Sequence, residues 1–460
     1  MSRSFQAALQ RLRKLLPDGE VLLDAESRAR YAGDKWFATS TPDAVVLPRS
    51  TRNVSALLKF ASKNRIPVTA RGAGYGYVGG CVPARGGIVL SLERMNRIKE
   101  INPDDFVAVV EPGVITAKLQ AEVEKLGRFY PPDPASRADS TLGGNIATNA
   151  GGPRCLKYGV TREYVLGLEV VLMDGTVVRV GSRTHKNKTG FDLTKLFVGS
   201  EGMLGVVTEA TLKLLPLPPF RAALAAGFNS MDDGLRALKE IFAAGFLPCA
   251  LELADEFTLA AAYKRTGSAT LSGCRAHLIT ELDGHAKSVR SELKDLESVI
   301  QNASPLSVQR ALGAEGCEKL WQLRREFSYA LRDTGLTKLN EDIVVPRGKL
   351  RDLFQFTSGL EKMHGFPVAC FGHAGDGNIH VNLMVDMTQP GTKKKCDTAL
   401  DALFGKVLEL GGVVTGEHGI GLAKKPWWPI AASRELRDLH QKIKAALDPA
   451  GLLNPGKFLK

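Results

Sequence analysis

Of the eight histidines in this 460-residue chain, two stand in the segment Phe371-Gly-His-Ala-Gly-Asp-Gly-Asn-Ile-His-Val-Asn382. A second segment, Gly416-Glu-His-Gly-Ile-Gly421, adds an adjacent Glu-His pair. Two imidazoles, His373 and His380, with the carboxylate of Glu417 suit a divalent ion such as Zn²⁺ or Mn²⁺. That leaves His418 and Asn382 to handle a substrate. In a strand over 379–383, His380 and Asn382 project to one face while Ile379, Val381 and Leu383 take the other. Asp376-Gly-Asn378 is turn chemistry that returns the chain and brings His373 toward His380. Glu417 and His418 are adjacent and diverge, so one can ligate while the other faces elsewhere. By themselves these motifs fit a hydrolytic metal site as well as a redox one, and the bland alternative is a hairpin with structural histidines.

Glycine-dense segments give the second clue. Gly74-x-Gly76-x-x-Gly79 follows a strand and matches the dinucleotide fingerprint, which requires a helix to begin at its last glycine. Here Gly79-Gly-Cys-Val-Pro83 and Gly86-Gly87 follow, and such a run cannot start a helix. What remains is a loop, headed by Arg71, whose backbone N–H groups can approach a phosphate. A second small-residue tract spans 141–152, and Ser200-Glu-Gly-Met-Leu-Gly-Val-Val-Thr208 makes a third. Together they predict a large phosphate-bearing cofactor gripped by backbone.

The elements that must carry these motifs alternate strand and helix. Residues 42–48, 67–70, 87–92 and 106–111 read as strands, with Thr51 as N-cap of a helix over 53–64. Residues 165–173 and 176–180 read as a hairpin around Asp174-Gly175. Leu214-Leu-Pro-Leu-Pro-Pro219 has the composition of a linker. Beyond it, helices are predicted over 230–244, 284–301, 315–332, 347–363 and 395–410, and strands over 249–253, 275–281, 341–345, 367–372 and 379–385. The pattern is α+β, and the length calls for two domains. Residues 1–14 form a basic, acid-free segment read as a surface amphipathic helix through Phe5, Leu9, Leu12 and Leu16, not a secretion signal. No run is long enough to cross a bilayer. Seven scattered cysteines without a Cys-x-x-Cys pair argue for reduced thiols in a cytoplasmic setting and against an iron–sulfur cluster. A net charge of +12 favours anionic ligands, acidic partners or a membrane surface at which the protein is peripheral. No nucleic-acid motif accompanies that charge, so nucleic acid is not an expected partner.

Arg71–Pro83, Pro131–Pro134, Gly143–Gly152, Lys157-Tyr-Gly-Val-Thr161, Gly199–Thr208, both histidine motifs and Leu453-Asn-Pro-Gly-Lys457 together resemble the vanillyl-alcohol oxidase / p-cresol methylhydroxylase superfamily. More narrowly, they are similar to its branch holding the FAD-linked subunit of glycolate oxidase, D-lactate dehydrogenase and D-2-hydroxyglutarate dehydrogenase. The resemblance implies a PCMH-type FAD-binding domain over 1–216, a substrate (cap) domain over 217–445, and a segment over 446–460 that returns to the FAD domain. It implies FAD contacts from Arg71, Gly72, Ala73, Gly74, Tyr75 and Gly76 around the pyrophosphate. Further contacts fall to Pro132, Asp133, Gly143, Gly144, Asn145, Thr148, Asn149, Gly151, Glu201, Gly202, Val206, Val207 and Asn454. Members with covalent flavin often carry His after Arg-Gly-x-Gly; Tyr75 stands there, so non-covalent FAD is expected.

By the same resemblance His373, His380 and Glu417 are metal ligands, His418 is the catalytic base, and Arg324, Ser328 and Asn382 contact substrate. The implied reaction is oxidation of a D-2-hydroxy acid such as D-lactate or glycolate to the 2-oxo acid, by metal-assisted proton removal and hydride transfer to flavin. The implied electron acceptor is a quinone, cytochrome or electron-transfer protein. Partner subunits or a homodimer are further implied associations. Asn340 departs from the D-2-hydroxyglutarate enzymes, where a lysine is expected, and Lys338 stands near by. Two rivals remain: a metal-independent alcohol or sugar oxidase, and a flavin-carrying subunit inactive alone.

Overall fold

Alternating runs of apolar residues build two units in this computed structural model, which describes residues 3–459. One unit comprises Met1–Gly151, Val160–Leu217 and Glu417–Lys460; the other comprises Gly152–Gly159 and Pro218–Gly416. The chain thus returns to the first unit at Glu417, well before residue 446, and a short excursion over 152–159 belongs to the second.

In the first unit, strands Val21–Leu22, Ala44–Val46, Ile88–Ser91 and Val68–Arg71 lie in that order in one sheet, the last three parallel. Helix Thr51–Lys63 packs on it through Val54, Leu57, Leu58 and Ala61. Its N-cap is Ser50, not Thr51: Ser50 is extended, and its hydroxyl accepts the Asn53 N–H at 3.3 Å. Helix Arg3–Leu15 does not float on the surface. Ala8, Leu9, Leu12 and Leu16 join the same core, whereas the Phe5 side chain lies outside the described residues. A second, antiparallel sheet orders Ile98–Asn102, Val107–Val110, Val206–Lys213, Val165–Val171 and Val177–Gly181. Its last two strands form a hairpin closed by Gly175 at φ +87°. The tract over 141–152 contains a helix, Leu142–Thr148, capped by Thr141. Glycine tolerates this helix because a Cβ on Gly143 would come 2.5 Å from Pro112 Cβ.

The second unit is one seven-stranded antiparallel sheet, ordered Ser307–Leu312, Phe220–Phe228, Ala276–Gly284, Ala250–Asp255, Val368–His373, Asn378–Val385, Thr337–Val344. Helices Glu256–Thr266 and Gly313–Arg332 cover one face through Leu259, Ala262, Leu320, Trp321 and Phe327. Helix Met231–Ala243 meets the other, where Gly234 rests against Phe228 and Leu253. Burial on both faces explains why Phe220–Phe228, an alanine-rich strand without alternation, carries no period-2 signal in the sequence. Helices Glu256–Thr266 and Arg434–Leu447 and strand Ser307–Leu312 also went unforeseen.

The C-terminal segment of the first unit hangs on Lys444, buried to 3% exposure. Its ammonium donates to Met203 O at 2.8 Å, Leu453 O at 2.7 Å and Asp448 Oδ2 at 2.7 Å. Lys444→Ala leaves the buried Asp448 carboxylate without its cation, held only by the Leu452 and Leu453 N–H groups, and frees both carbonyls. The loss is expected to be about 3–5 kcal/mol, read as a lower midpoint in thermal unfolding. A midpoint within a degree of the parent's would refute this account.

Candidate functional site

On the sheet of the second unit, strands Val368–His373 and Asn378–Val385 pair Phe371 with His380 and His373 with Asn378. His373 and His380 are therefore diagonal neighbours on one face. Their rings lie 5.5 Å apart and nearly perpendicular, and Phe371 flanks His380 at 5.6 Å. Glycines make the connection this tight. A Cβ on Gly372 would come 2.6 Å from Asn378 O, and Gly377, at φ +78°, would overlap Val345 O.

Beneath His373 lies a residue the sequence reading missed. Glu252, 1% exposed, takes His373 Nδ1 at 2.6 Å on one oxygen. Its other oxygen takes Arg324 Nε at 2.8 Å and Nη2 at 2.6 Å. Burial by itself would raise the Glu252 pKa, but the charges of His373 and Arg324 and their hydrogen bonds prevail and hold it at about 2. The Arg324 guanidinium also lies 4.7 Å over the Phe371 ring. The signal of Glu252 in the sequence was a lone acid inside the apolar strand Ala-Leu-Glu-Leu-Ala.

The neighbouring strand Thr337–Val344 places Asp342 opposite His380, Asn340 opposite Asn382 and Lys338 opposite Met384. Asn382 is fully buried, and its amide is engaged: Oδ1 accepts from Asn340 Nδ2 at 2.7 Å, while Nδ2 donates to Ala369 O and His380 O. Lys338 Nζ donates to Ser328 Oγ at 2.8 Å. Burial, reinforced by the charges of Arg332 and Arg324, lowers its pKa to about 8. Asp342 was unforeseen in its role. Its Oδ2 accepts Thr415 Oγ1 at 3.0 Å and Gly416 N at 2.9 Å, and its Oδ1 accepts Asn378 Nδ2 at 2.8 Å. Gly416 sits so close to Asn378 that a Cβ would lie 2.6 Å from its amide nitrogen. One peptide bond beyond comes Glu417.

In the first unit, residues 71–76 wrap around the Arg71 side chain: Gly74 has φ +76°, and a Cβ there would overlap the guanidinium. Arg71 is spent on Gly33 O, Cys81 and the Tyr31 ring, so the loop offers backbone, not this cation. Among the described residues, no backbone N–H of residues 73–77 donates within the chain, which leaves a row of donors suited to a pyrophosphate. Gly72 abuts the second tract, its Cβ position 2.6 Å from Thr141 Oγ1 and 3.3 Å from Gly144 Cα. Asn145 is buried and donates to Thr116 Oγ1 at 2.7 Å, Thr148 Oγ1 donates to Gly144 O at 3.2 Å, and Asn149 is left-handed at φ +52°. Gly151 and Val206 are buried, Val207 is half-buried, and Pro132 O accepts Gln120 Nε2 at 3.0 Å. Tyr75 has a raised pKa, chiefly from its hydrogen bond with Asp139, which is adjacent to the second tract.

Glu201 docks on helix Leu142–Thr148 through its N–H to Ala147 O. Its carboxylate accepts Ile420 N and Gly421 N, each at 2.8 Å; burial raises its pKa against those bonds. Gly419, at φ +85°, leaves room for that carboxylate and for nothing larger than hydrogen. His418, directly before it, stacks on Tyr77 at 5.3 Å and 29°. Asn454, left-handed at φ +47°, donates to Gly80 O and Glu201 O, so the terminal segment braces the first loop and the Ser200-Glu-Gly turn together.

Comparison with known proteins places these features. Residues 217–458 match the family described as FAD linked oxidases, C-terminal domain, and residues 42–181 match FAD binding domain. Glycolate oxidase subunit GlcD of Bacillus subtilis (strain 168) is 40% identical over 421 residues, covering 91% of this chain and 89% of that one. D-lactate dehydrogenase of Anaerostipes hadrus is 34% identical over 98% of this chain and 96% of its own length. Among solved structures, p-cresol methylhydroxylase with substrate bound aligns with a TM-score of 0.83 at 19% identity, over 100% of this chain and 98% of that one. At that identity it shares the fold alone. The paired FAD-binding and oxidase domains and the identity to full-length relatives settle the family: this chain is an FAD-binding oxidoreductase belonging to the FAD-linked oxidases.

Proposed function

We propose that this flavoprotein oxidises a D-2-hydroxy acid of the lactate or glycolate kind to its 2-oxo acid. One observation carries the reading: a single sheet face holds His373 and His380 5.5 Å apart beside Arg324, itself paired to a buried carboxylate. The names of the relatives, a glycolate oxidase subunit and a D-lactate dehydrogenase, point the same way. His373, His380 and Glu417 form the group we assign to a divalent ion, Zn²⁺ or Mn²⁺. Asp342 supports Glu417 by holding the preceding residue. When bound, FAD supplies a two-electron acceptor and the ion a Lewis acid for the substrate hydroxyl.

The chain's own groups do the rest. Arg324, with Lys338 and Ser328, gathers positive charge and a hydroxyl for the substrate carboxylate. Asn382 acts from below, fixing Asn340 and the His380 backbone. His418 takes the hydroxyl proton, a task suited to an imidazole. Tyr77 and the Glu201-held turn fix its ring. FAD is held without a covalent bond, Tyr75 standing where a flavin-linking histidine would be. Seven free thiols fit a reducing, cytoplasmic setting.

A second reading is favoured by the GlcD relative being a subunit: the chain carries flavin within a complex and passes electrons to partner subunits. The purified chain, given D-lactate or glycolate and an artificial dye, turns over on the first reading and stays idle on the second.

Anaerobic mixing with a panel of D- and L-2-hydroxy acids should bleach the flavin with D-lactate or glycolate; no bleaching by any member would refute the assignment. Acid precipitation should release the yellow colour into the supernatant, and colour left on the pellet would mean a covalent link. His418→Ala should keep FAD and substrate binding but lower kcat by roughly 10²–10⁴-fold; an unchanged kcat removes the base assignment. His380→Ala should lose the ion first, so added Zn²⁺ or Mn²⁺ should not restore turnover.

A further inference from the structure

Glu252 has no assigned part in the chemistry, yet it joins two residues that do. It projects from strand Ala250–Asp255, whose Leu253 and Ala254 pair with Gly372 and Phe371 next to His373. At 1% exposure no bulk water reaches it. One oxygen meets His373 Nδ1 at 2.6 Å, and the other meets Arg324 Nε and Nη2 at 2.8 and 2.6 Å. A carboxylate forked by a guanidinium is ionised and can only accept hydrogen bonds. The hydrogen between Glu252 and His373 therefore sits on Nδ1, so in the neutral, metal-binding form of the ring the lone pair is on Nε2.

We infer that Glu252 is a positioning residue of the metal site: it fixes His373 as the Nδ1–H tautomer, presents Nε2 as the ligand atom, and holds Arg324 in the same frame. This rests on the metal reading above. Carboxylate–histidine pairs of this kind orient ring ligands and make them better donors. Glutamine cannot replace the carboxylate at no loss. Its NH₂ would face either the Arg324 donors or the Nδ1–H, and one bond would become a donor–donor clash. A carboxylate that merely neutralised Arg324 would set no tautomer on His373, and the two roles separate on that point.

The first test needs no variant. In metal-free, FAD-loaded protein labelled with ¹⁵N-histidine, the His373 resonances are assigned by their loss in His373→Gln. Nδ1 should show the protonated, pyrrole-type shift; a pyridine-type shift on Nδ1 overturns the inference. The second test titrates Zn²⁺ against a chromophoric chelator. Glu252→Gln should bind about 10–100-fold more weakly than the parent, with FAD content preserved. Affinity within threefold of a parent that binds Zn²⁺ overturns the role of Glu252 and leaves the metal site standing. A parent that binds no Zn²⁺ or Mn²⁺ removes the metal reading and this inference with it. Should Glu252→Gln fail to fold, the tautomer measurement on the parent still decides.

Discussion

The seven-stranded sheet of the second unit is covered by helices on the face that carries Phe371, His373 and His380, and that constraint governs the polar groups there. A polar group there cannot fall back on water, and leaving one unpaired costs about 1–3 kcal/mol. Every acid or amide on this face therefore specifies its surroundings. Glu252 determines where His373 and Arg324 stand. Asp342 ties Asn378, Thr415 and Gly416 to the strand opposite His380. Asn382 links Asn340 to two backbone carbonyls. The histidines and the arginine are held by a buried polar lattice, and its geometry follows from the register of the strands.

The first unit solves a different problem with smaller residues. Its loops bring backbone into close contact, so side chains are removed or turned inward. Gly74 makes room for Arg71, Gly72 lets the first loop touch the second tract, and Gly143 lets helix Leu142–Thr148 press on Pro112. Glu201 shows the same economy: a residue expected at the cofactor spends its carboxylate on the two N–H groups beyond His418. One buried side chain thereby connects helix Leu142–Thr148 to the segment that carries the proposed base.

Much of this was legible in the chain. Alternation placed His380 and Asn382 on one face, the Asp-Gly-Asn turn closed the hairpin, and the failed helix start after Gly79 excluded a Rossmann loop. Elements with a clear period, such as Ala286–Gln301 and Val165–Val171, were found nearly to the residue. Those without one were missed. Phe220–Phe228 is alanine-rich because it is buried on both sides, and helix Leu142–Thr148 hides in glycines whose reason is a contact with a residue far away in sequence. The N-terminal helix was read as a surface element because its apolar stripe names no partner; the partner is the helix Thr51–Lys63.

The sequence by itself determined which chemical groups are present: imidazoles, a neighbouring carboxylate, glycine loops and an arginine, in an order that marks the family. Local rules of period, turn and capping suffice for that, because they act within a few residues. Tertiary structure decided which groups are engaged and with what. Arg324 is tied to Glu252, Arg71 is enclosed by its own loop, Asn382 is bonded to Asn340, and Lys338 reaches Ser328. Those assignments depend on strand register and on burial, which join residues over a hundred positions apart, as in the pair Glu252 and His373. No spacing in the chain encodes them.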